Sequence, residues 1–218
     1  TPTQDTVGVY LSRGNMYLQR GLYRQAFADF DAALGIGEDR RAREGRAVAA
    51  FITGRYALAR SDAEAVLEDE GDNTQMQLVL GQALVHLDEC ERAESTLRAA
   101  LAQELSADQQ AAAHEYLARA YYDIAEDLPP EEWASVPGLQ EINMALQIKE
   151  TGSRHYYRGL ILEQAGQPVL AKPDYEWVLG WGDVYGFPFL VEVSDRLEEI
   201  ERMPTPTPTP SPTPTPES

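Results

Sequence analysis

Apolar residues along this chain return at helical spacing, three or four apart, and at fixed places among them stand residues with almost no side chain. In the first copy the order is Gly14, Tyr17, Gly21, Tyr23, Ala26, Phe30, Ala33. An echo reads Ala47, Gly54, Tyr56, Ala59, Ala63, Val66, and a third copy reads Leu80, Gly81, Leu84, Ala93, Leu97, Ala100. The interval is in the low thirties of residues with two helical segments in each, which identifies a stacked array.

Read in pairs, the segments cover about 6–20 and 22–35, 39–53 and 55–70, then 74–87 and 89–104. Gly21 and Gly54 break the first two pairs, and Gly35 with Gly37 suits a left-handed cap at the end of the first. Gly71 and Asp72 stop the second pair, and Asn73 or Thr74 caps the third. Ser106 with Gln109 fits a capping box that opens a fourth pair, whose first helix runs to about Ala125. Between Tyr121 and Gly138 the spacing then exceeds that of the earlier copies, and the excess contains Asp127, Leu128, Pro129, Pro130 and Trp133. This predicts an insertion in the turn between the two helices, either a contact-bearing loop or a longer turn whose Trp133 packs on its own repeat.

The fifth pair is expected over about 152–165 and 168–180, with Gly159, Leu162, Ala171, Tyr175 and Val178 at the matching places. Gly180, Trp181 and Gly182 read as its end, followed by a turn rich in aromatics. A last helix from about Pro188 to Met203 carries Phe189, Leu190, Val193, Leu197 and Ile200 on one stripe and Glu192, Arg196, Glu198, Glu199 and Glu201 on the other. Such a helix covers the apolar end of an array. The domain expectation is an N-terminal arm at 1–5, the array with its capping helix at 6–203, and a Thr/Pro-rich tail at 204–218.

In that tail proline alternates with Thr205, Thr207, Thr209, Ser211, Thr213 and Thr215. Each proline lacks an amide donor and steers its predecessor away from the helix, so polyproline II is the expected conformation, reaching roughly 40 Å. The same six hydroxyl residues are candidate O-glycosylation sites, because Ser/Thr with Pro is the composition of glycosylated stalks.

Charge narrows the partners. Asp and Glu number 36 against 18 Lys and Arg, a net charge of -18. Nucleic-acid binding draws on cations that displace counterions, and anionic membranes attract the same groups, so both are disfavoured. The acids either solvate the outer helix faces or meet a basic partner. Direct membrane insertion is not expected, since no apolar run approaches the roughly 20 residues a spanning helix needs. The single cysteine, Cys90, provides no disulfide framework. The chain starts at Thr1 rather than Met, which a cleaved export signal would explain, so an extracellular or cell-surface location is expected.

Catalytic chemistry is poorly represented. His86, His114 and His155 fall in different repeats, Gly35-Ile36-Gly37 lacks the strand and lysine of a phosphate loop, and the acids Glu68, Asp69, Glu70 and Asp72 lack calcium-loop spacing. No enzyme activity, metal or cofactor is expected.

The recurring residues quoted above resemble the tetratricopeptide repeat. The resemblance implies an all-α fold, a right-handed α-solenoid of about five helix pairs plus the C-terminal capping helix. It also implies a concave groove lined by the first helix of each pair and used to hold peptides or helices. Carried over by helical phase, that groove would present Asn15, Leu18 and Gln19, then Glu44, Val48, Phe51 and Ile52, then Leu78, Gln82, Val85 and His86. It would continue through Glu115, Arg119, Tyr122 and Asp123 and end at Tyr156 and Leu160. Family members that clamp a peptide carboxylate use Lys, Arg and Asn from successive repeats; here Asn15 stands without the basic partners. Phe51, Tyr122 and Tyr156 could instead pack on proline rings, with the amides of Gln82 and Asn15 bonding peptide carbonyls. The expected function is a non-catalytic protein-interaction scaffold. Its partner is a protein or peptide, either another copy joined head to tail into a fibre or layer, or a separate peptide captured by a tethered adaptor.

Overall fold

The computed structural model describes residues 4–129, 132–133 and 137–203, and they are helical throughout apart from short connections. The elements are α1 (Gln4–Gln19), α2 (Tyr23–Ile36), α3 (Arg40–Ile52), α4 (Tyr56–Asp69), α5 (Thr74–Val85) and α6 (Cys90–Leu101). They continue as α7 (Ala107–Glu126), α8 (Gly138–Ile148), α9 (Gly152–Gln164), α10 (Pro168–Tyr185) and α11 (Leu190–Arg202). Every helix packs on its neighbours in sequence, and the first helices of successive pairs also touch: α1 with α3, α3 with α5, α5 with α7, α7 with α9. The second helices do not meet one another to a comparable extent, so the array curves with its first helices on the inside. The six hydroxyl residues of the tail lie outside the described residues.

Small residues set how closely the helices approach. Phe30 on α2 is fully buried between Gly14 of α1 and Gly45 of α3, and a Cβ added at either glycine would run into its ring. Gly81 accepts Leu97 in the third pair, and Gly159 accepts Tyr175 in the fifth. The core passes from pair to pair through shared side chains. Phe27 joins the first two clusters, Tyr116 and Ile124 bridge the third and fourth pairs, and Leu139 links the fourth pair to the fifth.

Turn chemistry repeats with the period of the helices. Gly21, Gly54, Asp88 and Gly166 all have positive φ, between 59° and 78°. In each case the next amide reaches back five residues: Leu22 to the Tyr17 carbonyl, Arg55 to Ala50, Glu89 to Leu84 and Gln167 to Leu162, at 2.8–3.0 Å. This is the six-to-one bond of a Schellman motif, which uses carbonyls that the helix end leaves free. Asp88 occupies a backbone conformation that costs an L-residue about 1–2 kcal/mol, a cost short polar side chains bear best.

Two expectations about helix ends are corrected. Gly35 and Gly37 do not form a left-handed cap: Gly35 lies inside α2, and Gly37 is extended at φ -179° and ψ 158°. Gly180, Trp181 and Gly182 do not end the tenth helix, which continues to Tyr185 and stops at Gly186 with φ 61°. Gly182 is instead a buried packing residue, where a Cβ would lie 2.6 Å from Leu190 Cδ2. Glycine in a sequence signals a stop or a close approach, and only the neighbouring helix distinguishes them. The capping expectations agree with the structure. Asn73 accepts the Met76 amide, and Ser106 with Gln109 forms the full capping box.

Candidate groove and ring row

A continuous line of rings runs along the inner face from α3 to the start of α11. Phe51 on α3 lies 6.0 Å from the His86 ring and 6.1 Å from Tyr116 of α7. His86 stacks face to face on Tyr56 of α4 at 4.0 Å, and its Nε2 is 3.4 Å from the Tyr116 hydroxyl. The Arg119 guanidinium then sits between two faces, 4.5 Å from the Tyr116 centroid and 4.8 Å from that of Tyr157 on α9. Tyr157 meets Tyr156, which stacks on Phe189 at 4.3 Å and donates its hydroxyl to Glu192 of α11 at 2.9 Å.

This arrangement brings together four of the expected groove residues, Phe51, His86, Arg119 and Tyr156, with Tyr56, Tyr116 and Tyr157. A signal for the last two was present, since Tyr116 and Tyr157 directly follow Glu115 and Tyr156 in the sequence, and Tyr116 stands three residues before Arg119 on the same helix. Ile52 is well exposed at 45%, whereas Val48 packs at the edge of the core. Asn15 and Gln19 are exposed on α1, and Leu18 belongs to the first core cluster, so these three stand apart from the rings. Gln82 is half-buried on α5. Val85, at 4% exposure, and with it Leu78 and Leu160, at 5%, are core residues rather than groove residues. Where first helices are in contact, the residue one turn nearer the neighbouring helix is covered by it. Tyr122 faces the insertion, lining a small cavity of about 80 Å³ with Tyr121, Trp133, Gly138 and Ile161. Trp133 donates its indole N–H to the Leu128 carbonyl at 2.9 Å within its own repeat and borders that cavity opposite Ile161 and Gln164 of α9.

Burial tunes the groups along the row. His86 is pushed down to about 4, first by burial and then by the charge of Arg119, so it is a neutral ring at neutral pH. Burial raises Tyr116 and Tyr157 and pushes Tyr122 up to about 12, which keeps all three phenols protonated donors. Arg119 Nε is buried and has no hydrogen-bond partner. The row therefore offers ring faces, phenol hydroxyls and one sandwiched cation. Cys90 adds no nucleophile: it is 7% exposed, and burial followed by Asp123 raises its thiol to about 12. Among the described residues no group of three or more His, Cys, Asp or Glu could hold a metal ion, and no helix is long and apolar enough to cross a membrane.

Periodic ion pairs between the two helices of a pair went unread in the sequence. Arg13 with Asp29, Arg46 with Asp62 and Arg158 with Asp174 are each 16 residues apart and bidentate, with Nε on Oδ2 and a terminal nitrogen on Oδ1 at 2.6–2.9 Å. The aspartates are 5%, 1% and 1% exposed, respectively. The third pair has Leu80 and Thr96 at these places. An Arg and an Asp at constant separation in three repeats was the available signal.

No protein-family model matches the chain, and no curated protein matches it. Solved structures do. A MamA structure from Desulfovibrio magneticus RS-1 superposes with a TM-score of 0.62 at 17% identity, over 86% of this chain and all of that one. TTC0263, a thermophilic TPR protein of Thermus thermophilus, gives 0.59 at 17% identity over 90% of this chain and all of its own. MamA from AMB-1 gives 0.59 at 19% identity over 80% of this chain and 98% of its own. At such identities the likeness concerns the fold, which is a helical-repeat solenoid of tetratricopeptide type.

Proposed function

Given a solenoid of this type, we propose that the chain is a non-catalytic protein-interaction scaffold whose inner face holds an extended peptide against the ring row. The observation that carries this reading is the line from Phe51 through His86, Tyr116, Arg119 and Tyr157 to Tyr156, which spans four successive pairs. Ring faces spaced along an extended path accept proline and aliphatic side chains, while the phenols and Gln82 bond the peptide's free carbonyls. Selection of peptides on the immobilised full chain tests it. Selected peptides are expected to lose affinity about tenfold or more for Phe51→Ala and for Arg119→Ala while the circular dichroism stays helical. Peptides that bind these variants unchanged would overturn the groove assignment.

A second reading, head-to-tail assembly of copies outside the cytoplasm, draws on a different observation. The C-terminal pair and last helix leave Val169, Leu170, Val184 and Val191 55–76% exposed, and Val9 is 60% exposed at the other end. Exposed apolar side chains at both ends of an array favour end-to-end contact, which builds a filament unless it closes. The Thr/Pro composition of residues 204–216 supports both a tether and a glycosylated stalk at the cell surface. Light scattering on the full chain and on a chain ending at Met203 separates the two readings, since a monomer in both forms removes tail-mediated assembly. Intact mass of native material decides whether the hydroxyl residues carry glycan.

A further inference from the structure

Where α9, α10 and α11 meet, four rings border a cavity of about 370 Å³. Trp177 and Trp181 stand one turn apart on α10, Tyr185 ends that helix, and Phe187 follows the left-handed Gly186. Neighbouring centroids lie 6.1 Å apart for Trp177 and Trp181, 5.9 Å for Trp181 and Tyr185, 5.7 Å for Tyr185 and Phe187, and 6.5 Å for Phe187 and Trp177. The rings thus close on one another around the cavity. Its remaining wall is Glu150, Thr151 and Gly152 at the start of α9.

One side of this box is held rigidly and the other is open. His155 stacks on Trp177 at 4.2 Å, and its Nδ1 is fixed 2.6 Å from Asp174 Oδ1. Gly152 leaves room for the Phe187 ring, which any Cβ at that position would strike. On the open side Trp181 is 45% and Tyr185 63% exposed. Glu150 is exposed at the rim, and among the described residues it makes no ion pair or hydrogen bond. The volume falls within the range of small-molecule sites, about 300–1,000 Å³.

The chemistry of the lining selects the ligand. Aromatic faces carry negative quadrupole potential, and a cation within about 6 Å of a ring centroid is attracted by it. The uncompensated Glu150 carboxylate adds a full negative charge, and the net charge of -18 raises the local concentration of cations. A primary ammonium would give up most of its hydration against four rings, with acceptors only on the Glu150–Thr151 side, whereas a methylated nitrogen needs no hydrogen bond and is attracted by every ring face. We propose that this corner binds a small quaternary ammonium compound, with its methylated head against Trp177, Trp181, Tyr185 and Phe187 and its charge balanced by Glu150. The box adjoins the end of the ring row, where Phe187 stacks on Phe189 at 5.6 Å, but none of its lining residues belongs to that row, so it is tested on its own side chains.

Calorimetric titration of the full chain with choline tests the proposal, with tryptophan emission read in parallel on Trp133→Phe, which leaves Trp177 and Trp181 as the only tryptophans. Choline should bind saturably. Its uncharged carbon isostere, 3,3-dimethylbutan-1-ol, should bind about tenfold more weakly or less. Glu150→Gln, at an exposed position without a hydrogen bond or ion pair among the described residues, should weaken choline about two- to fivefold, and Trp181→Ala should abolish saturable binding. Equal binding of the neutral alcohol would overturn the proposal, as would the absence of saturable choline binding. A peptide of residues 204–216 that fills the pocket where choline does not would overturn it too, and would assign the box to the chain's own proline-rich segment.

Discussion

The first three pairs and the last two, with α11, use the same helical unit differently. In α1–α6 the copies keep a spacing of 33 and 34 residues, from Gly14 to Ala47 to Gly81 and from Ala26 to Ala59 to Ala93. Phe30 there lies between Gly14 and Gly45 and Leu97 lies against Gly81, contacts that leave little room. In α7–α11 the spacing breaks: α7 reaches 20 residues, an insertion follows it, and α10 extends to 18 residues. The surplus backbone carries rings that the core does not absorb, among them Trp181 and Tyr185. Regular spacing commits side chains to contacts between helices, whereas irregular spacing leaves them free to meet something else.

The sharpest way to divide the two regions is to remove a buried carboxylate from each. Asp62→Ala leaves Arg46 with the exposed Asp31 alone and should cost about 1–3 kcal/mol, whereas Asp174→Ala takes the carboxylate from both Arg158 and the buried His155 and should cost about 3–5 kcal/mol. Repeat arrays couple chiefly to nearest neighbours, so amide exchange should accelerate around α3 and α4 for the first and across α9–α11 for the second. Uniform acceleration of the whole chain in both variants would show a single cooperative unit and dissolve the comparison.

Next in size is one substitution made in both settings. Gly45→Ala places a methyl inside the contact distance of the Phe30 ring and should destabilise by about 1–3 kcal/mol. Gly180→Ala, inside α10 with nothing within 4 Å, should stabilise by about 0.5–1 kcal/mol. Urea midpoints measure both, and signs that agree would mean that the Phe30 contact yields as readily as the open space beside Gly180.

A pH experiment probes the boundary between the regions, where His86 of the third pair meets Arg119 of the fourth. The folded ring loses its proton at about 4, below the ordinary 6.5, because burial and then Arg119 disfavour the imidazolium. The unfolded chain therefore binds more protons between those values. Stability from this group is full above the ordinary value and is lost as pH falls toward the lower one. From pH 7 to pH 5 the loss should be about 1–2 kcal/mol after allowance for solvent screening, and His86→Gln should lose that much less over the same range. Equal pH slopes for the two proteins would place His86 in a more solvated site.

The smallest expected effect concerns the one turn in the regular region that lacks glycine. Asp88→Gly should raise stability by about 0.5–1 kcal/mol, because relief of the left-handed backbone outweighs the added freedom of the unfolded chain. A loss of stability would mean that the Asp88 side chain contributes to the turn more than its backbone costs.

Much of the fold was legible because its determinants are local. Gly21 and Gly54 break helices through their own φ, and Ser106 with Gln109 caps one within four residues. The site was legible only in part. Phase along a helix put Phe51, His86, Arg119 and Tyr156 on the inner face, but it could not show that Val85 is covered by a neighbouring helix, nor that Tyr122 turns toward Trp133. The Arg–Asp pairs were missed because residues 16 apart on two helices meet only at a particular crossing.

By itself, then, the sequence determined an array of helix pairs, most of its turns and its strongly acidic surface, since these follow from side-chain periodicity, backbone freedom and charge count. The tertiary structure alone decided which glycines end helices and which admit a neighbour. It also decided which aromatic residues join the core, which line the inner row and which remain around the cavity at the last corner. Those outcomes depend on the distance and angle between helices, which arise only when all the pairs pack at once.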